Sequence, residues 1–80
     1  MTYSDAVILR LTQLCRERKL NTNQLAMQSG ITQSTVDHIM KGRTKNPRLK
    51  TLHRLAVGFS MTVSELLNFP EMNEMLFEDE

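Results

Sequence analysis

Eighty residues hold one modest hydrophobic core at most, and a chain this small gains from any further contact that buries apolar area. The single cysteine, Cys15, excludes an internal disulfide and any multi-cysteine zinc site, and neither histidine, His38 or His53, shares a helical turn with ligands that would complete a metal site. No stretch approaches the roughly 20 apolar residues of a membrane span, and no basic-then-apolar leader precedes the first helix, so a cytoplasmic chain is expected.

Ser4 and Asp5 predict the first helix start, a capping hydroxyl followed by an acid in the positively polarised first turn. Val7, Ile8, Leu11, Leu14 and Cys15 then recur at helical spacing, with Arg10, Gln13, Arg16, Glu17 and Arg18 between them, to about Lys19. On that apolar face Cys15 reads as a buried, inert thiol. Asn21 predicts the cap of a second helix with Leu25 and Ala26 inward, ended at Gly30 by a left-handed conformation. Ile31 falls in the turn and Thr32 caps a third helix. Val36, Ile39 and Met40 mark its buried side, and Gln33, Ser34, Asp37, His38 and Lys41 form an exposed stripe.

After Gly42 the run RTKNPRLK places Arg43, Lys45, Arg48 and Lys50 around Pro47, which disfavours helix at Asn46. Leu52, Leu55, Ala56 and Phe59 predict a fourth helix from about Leu49. Thr62 and Glu65 form a capping box for a short fifth helix with Val63, Leu66 and Leu67 inward. Pro70 begins an acidic tail. Its Met72, Met75, Leu76 and Phe77 make either the apolar stripe of a short helix or a sticky segment in a disordered end, and both readings stand.

The spacing Leu25-Ala26, Gly30-Ile31, Val36, Ile39 resembles the helix-turn-helix of the phage repressor and Cro group, the XRE-like family, and GRTKNP after Lys41 resembles the loop that follows it there. The similarity runs from about Val7 to Phe69. It implies an all-α, compact five-helix, lambda-repressor-like DNA-binding domain over residues 1–69, with the helix-turn-helix at helices 2 and 3, followed by the tail 70–80 as a short helix or dimer contact. In phage repressors of this group an Arg on the first helix often pairs with a Glu late in the third, and the matching positions here are Cys15 and Met40. Exchanging both members of a buried ion pair for apolar residues can be neutral or stabilising, so the two side chains are expected to touch in the core. The glycine that usually ends the family's fourth helix is Ser60 here, with Gly58 two residues earlier, and that end stays open.

The resemblance further implies double-stranded DNA as the partner, read in the major groove by the first part of the third helix. Gln33, Ser34 and His38 occupy the positions the family uses to read bases, with the Thr32 methyl offered to a thymine and Thr35 beside them. Gln33 both donates and accepts, which suits adenine N6 and N7. His38 can do either, and Asp37 is left to a cytosine amino group or to no contact. Phosphates need donors on both flanks of that helix. One flank is Asn21 and Thr22, with free backbone amides at the second helix's N-terminus; the other is Lys41, Arg43, Lys45, Asn46 and Arg48. On an arbitrary helix and loop the same residues would read as solvated surface, and the motif reverses that reading. Arg10, Arg16, Arg18, Lys50 and Arg54 are not placed by it.

Charge is distributed in the same sense. Residues 1–60 carry all ten Lys and Arg against Asp5, Glu17 and Asp37, while residues 61–80 carry six acids and no base, so the basic body attracts phosphate and the acidic end should point away from it. No phosphate-cradling glycine loop and no nucleophile with a matched base appears, and no enzyme activity, cofactor, metal or small-molecule ligand is expected. The expected function is that of a small transcriptional regulator, a homodimeric repressor on a two-fold operator, paired through the fifth helix and tail as relatives commonly are. The alternative is a protein-interaction module, an antitoxin or co-regulator whose partner engages that helix and tail.

Overall fold

Four of the helices begin where the sequence offers a polar cap, and four end where the chain turns left-handed. The computed structural model describes residues 1–75, which form α1 (Tyr3–Arg18), α2 (Thr22–Ser29), α3 (Gln33–Met40), α4 (Leu49–Gly58), α5 (Val63–Leu67) and α6 (Pro70–Asn73). Among the described residues there is no strand, and no helix is long and apolar enough to cross a membrane. The described residues are thus all-α, with the five expected helices and, at the start of the 70–80 segment, the short helix that is one of its two open readings.

Three of the helix starts are reciprocal capping boxes. Asn21 Oδ1 accepts from the Gln24 amide at 2.8 Å while Gln24 Oε1 accepts from the Asn21 amide at 2.9 Å. Thr62 and Glu65 exchange the same pair of bonds at 3.0 and 2.9 Å, as their spacing predicts. The third corrects the sequence reading. Thr2, not Ser4, caps α1, because Thr2 and Asp5 satisfy each other's amides at 3.1 and 3.2 Å, two bonds where a Ser4 cap offers one. Ser4 is instead buried in the first turn, with its hydroxyl turned towards Gly42.

Helices α1 to α4 end alike. Lys19, Gly30, Gly42 and Ser60 take φ of 55°, 69°, 74° and 60°. The amide of the next residue then reaches back five positions, Leu20 to Cys15 at 2.9 Å, Ile31 to Ala26 at 3.1 Å, Arg43 to His38 at 2.9 Å and Met61 to Ala56 at 2.9 Å. Ser60 therefore performs the turn for which the family usually has glycine. Leu20, Ile31 and Met61 tuck their side chains against the core, but Arg43 is exposed.

That core joins Val7, Leu11 and Leu14 of α1, Leu25 and Ala26 of α2, Val36 and Ile39 of α3, Leu55 and Ala56 of α4, Phe59 just beyond it, and Leu66 of α5. Helix α2 packs most extensively against α4 and α3, and α4 also meets α5, while α1 lies against α6 and α3. Cys15 and Met40 are each half-buried against this same cluster, and burial pushes the Cys15 thiol pKa up. Gly58 explains how closely α2 and α4 approach: a Cβ there would overlap the Ser29 hydroxyl. Beyond α5, Phe69 is buried and Met72 packs on the core, so the first turn of the 70–80 segment is seated on the body of the domain. Leu76 and Phe77, the rest of the apolar stripe, lie outside the described residues.

Candidate nucleic-acid interface

Helix α3 is built to leave its first turn uncovered. Thr32 caps it, Oγ1 accepting from the Thr35 amide at 3.1 Å and sharing a hydrogen bond with the Thr35 hydroxyl at 2.9 Å. Val36 and Ile39 turn inward and are buried, which by the helical period turns Gln33, Ser34 and His38 outward, and all three are exposed together with Thr32 and Thr35. Asp37 is half-buried at the edge of this face. None of these exposed side chains is an acid, so they can approach a base edge without bringing a negative charge to it.

The C-terminal flank begins at once. Gly42, at positive φ, turns the chain back against α1, where its α-carbon faces Ile8 and Ser4. Lys41, Arg43, Lys45, Asn46 and Arg48 are all exposed along the connection to α4, and no helix crosses it. Of the four residues that follow a left-handed helix end, only Arg43 directs its side chain to solvent, while its backbone amide stays tied to the carbonyl of His38. A guanidinium is therefore held three residues beyond the end of α3 by the helix's own termination.

The N-terminal flank differs from expectation in one respect. The Asn21 amide is not free, because Gln24 Oε1 accepts it, and what Asn21 can offer an anion is its side-chain nitrogen. Thr22 supplies the first amide of α2, which has no partner within its own helix. The capping box explains the difference, since a side chain that reaches back satisfies the amide otherwise left over.

Three arginines that spacing left unplaced have defined structural contacts. Arg10 donates from Nε to the Leu66 carbonyl at 2.9 Å and from Nη2 to the Glu65 carbonyl at 2.8 Å, and it lies over the Phe69 ring at 5.3 Å. It closes the C-terminal end of α5, whose five residues leave most carbonyls without helical partners. Arg54 donates to the carbonyl of Gly30 in the turn between α2 and α3 at 3.2 Å. Arg18 stacks over Phe59 at 5.6 Å. The apolar surroundings of the first and last marked these roles only faintly, because each partner lies far away in sequence. Among the described residues no group of His, Cys, Asp or Glu could hold a metal ion.

Comparison with known proteins places the whole domain in a DNA-binding family. Residues 10–71 match the family described as the Cro/C1-type HTH DNA-binding domain. The chain is 36% identical over 58 residues to the uncharacterized HTH-type transcriptional regulator RghRB of Bacillus subtilis strain 168, covering 72% of this chain and 42% of that protein, so it spans less than half of that relative's length. A crystal structure of the prophage Lp1 protein 11 superposes with a TM-score of 0.81 at 29% identity, covering 94% of this chain and 99% of that one.

Proposed function

Because this chain belongs to the Cro/C1-type helix-turn-helix DNA-binding family, we propose that it is a small transcriptional regulator that reads a specific duplex with α3 and binds it as a homodimer on a two-fold site. The observation that carries this reading is the uncovered first turn of α3. Gln33 and Ser34 stand exposed there and His38 one turn on, and the proposed phosphate donors are Asn21 and Thr22 at the start of α2 and Lys41, Arg43, Lys45, Asn46 and Arg48 after α3. A helix entering the major groove meets base edges with its N-terminal residues, and phosphates on both walls fix its register. Thr32 adds its methyl at the same end, and Gln33 is the residue suited to a bidentate contact with adenine.

One such helix covers only a few base pairs, so a pair of them about 34 Å apart, in successive major grooves, supplies an operator's worth of sequence. Repression is the proposed outcome only because the family is richer in repressors than in activators. The experiment that tests the whole reading is selection of bound duplexes from a random-sequence pool at near-physiological salt. An enriched inverted repeat, with half-sites about one helical turn apart, is the expected result. A single enriched half-site would remove the dimer, and no enrichment would remove specific DNA reading in favour of a protein partner.

A further inference from the structure

Arg54 stands one helical turn before Gly58, on the stripe of α4 that lies against α2. It reaches past its own helix to the turn, where Nη1 donates to the carbonyl oxygen of Gly30 at 3.2 Å. Gly30 is the left-handed residue of that turn, and the space beside its α-carbon is open, with nothing within 4 Å of where a Cβ would stand. Packing therefore does not hold this part of the backbone from that side. The Gly30 carbonyl belongs to the peptide that leads into Ile31 and Thr32, and the dihedrals there set the angle between α2 and α3. The Ile31 amide of that peptide is tied back to the Ala26 carbonyl at 3.1 Å, and Arg54 holds its carbonyl oxygen from the other side, so the peptide that orients the first turn of α3 is fixed at both ends by these two bonds.

We propose that Arg54 is a positioning residue for the recognition helix: from α4, which is locked to α2 through Gly58 and Ser29, it clamps the turn peptide and so sets where Gln33 and Ser34 stand relative to the phosphate-binding flanks. The proposal rests on the DNA-reading function above. It gives Arg54 a role through the turn, in contrast to the phosphate contact assigned to Arg43.

The test uses the whole chain and a duplex it selects. Arg54→Met keeps the apolar stem and removes every donor, whereas Arg54→Lys keeps a donor and the charge. Arg54→Met should weaken binding to the selected duplex about threefold to tenfold, the range for losing one hydrogen bond. Random-sequence duplex should be affected much less, the slope of affinity against salt should stay the same, and amide exchange at Ile31 and Thr32 of the free protein should quicken. Arg54→Lys should recover most of the loss. A salt slope reduced by about one, with selected and random duplexes weakened alike, would make Arg54 a phosphate ligand and overturn the proposal. A lower melting temperature with unchanged affinity of the folded protein would leave Arg54 a purely structural tie and overturn it as well. If the unsubstituted chain selects no duplex, the reading beneath the proposal falls and takes it along, a result distinct from failure of the variants alone.

Discussion

A methyl group on the α-carbon of Gly58 would overlap the Ser29 hydroxyl and stand 3.1 Å from the Ser29 α-carbon. The hydroxyl can turn away about its own χ1, but the Ser29 α- and β-carbons would still stand at 3.1 Å, so α2 and α4 would have to give by a few tenths of an ångström. Alanine in a helix interior is otherwise better than glycine by roughly 0.5–1 kcal/mol, and overpacking costs typically about 1–3 kcal/mol, so the steric effect wins. Gly58→Ala should destabilise the domain by about 2 kcal/mol, visible as a melting temperature lower by roughly 10 °C. The Ser29 hydroxyl is buried with no partner among the described residues. Ser29→Ala should therefore be neutral or raise stability by up to about 1 kcal/mol in the same melting experiment.

Arg10 anchors the end of α5 with two charge-assisted hydrogen bonds and a stacked ring. Arg10→Ala should cost about 2–3 kcal/mol by denaturant titration, because it leaves the carbonyls of Glu65 and Leu66 and the face of Phe69 without their partner. DNA affinity measured where the variant is fully folded should be unchanged. A loss of affinity there with no loss of stability would place Arg10 at the DNA instead.

Lys19 and Ser60 hold a left-handed backbone that costs a side-chain-bearing residue roughly 1–2 kcal/mol and glycine almost nothing. Part of that gain is returned by glycine's larger entropy in the unfolded chain. Lys19→Gly and Ser60→Gly should each stabilise the domain by about 0.5–1 kcal/mol, and the two should add because they terminate different helices. Thermal melting of the singles and the double checks both statements.

Among the described residues Glu65 is the one carboxylate held below its usual pKa, first by the Thr62 backbone amide, then by the Thr62 hydroxyl, with Arg18 adding a smaller attraction. A pKa lower in the folded than in the unfolded chain means that the unfolded chain binds more protons between the two values, so stability rises with pH across that window. The contribution is complete above the unfolded value of about 4.3 and is lost as pH falls through the folded one. Glu65→Gln keeps an acceptor for the Thr62 amide and cannot titrate. Its stability should follow pH less steeply than the unsubstituted chain between about pH 5 and pH 3, and parallel curves would rule out this linkage.

Gln33 and Arg43 should separate by the kind of DNA contact each makes. Gln33→Ala is expected to lose about 1–3 kcal/mol at one base position and to relax the preference there, with the salt slope unchanged. Arg43→Ala is expected to weaken selected and random duplexes alike and to reduce that slope by about one. Exchange of these two patterns would reverse the assignment of the helix face and the loop.

What the sequence determined by itself is what depends on neighbours within about one helical turn. The caps at Asn21, Thr32 and Thr62, the left-handed turn at Gly30, the inward Val36 and Ile39, and hence the exposed face of Gln33, Ser34 and His38, all follow from spacings of three and four. The start of α1 is the exception: spacing reads Ser4 as its cap, and the finished box of Thr2 with Asp5 sets the cap two residues earlier. The tertiary structure alone decided the fates of the arginines. Arg10 meets Leu66 across 56 positions and Arg54 meets Gly30 across 24, while Gly58 earns its place by what α2 presents to it. A spacing can say that a residue faces outward from its own helix, but which other helix stands there is settled only when the core has closed, because packing is a relation between surfaces that no local period encodes.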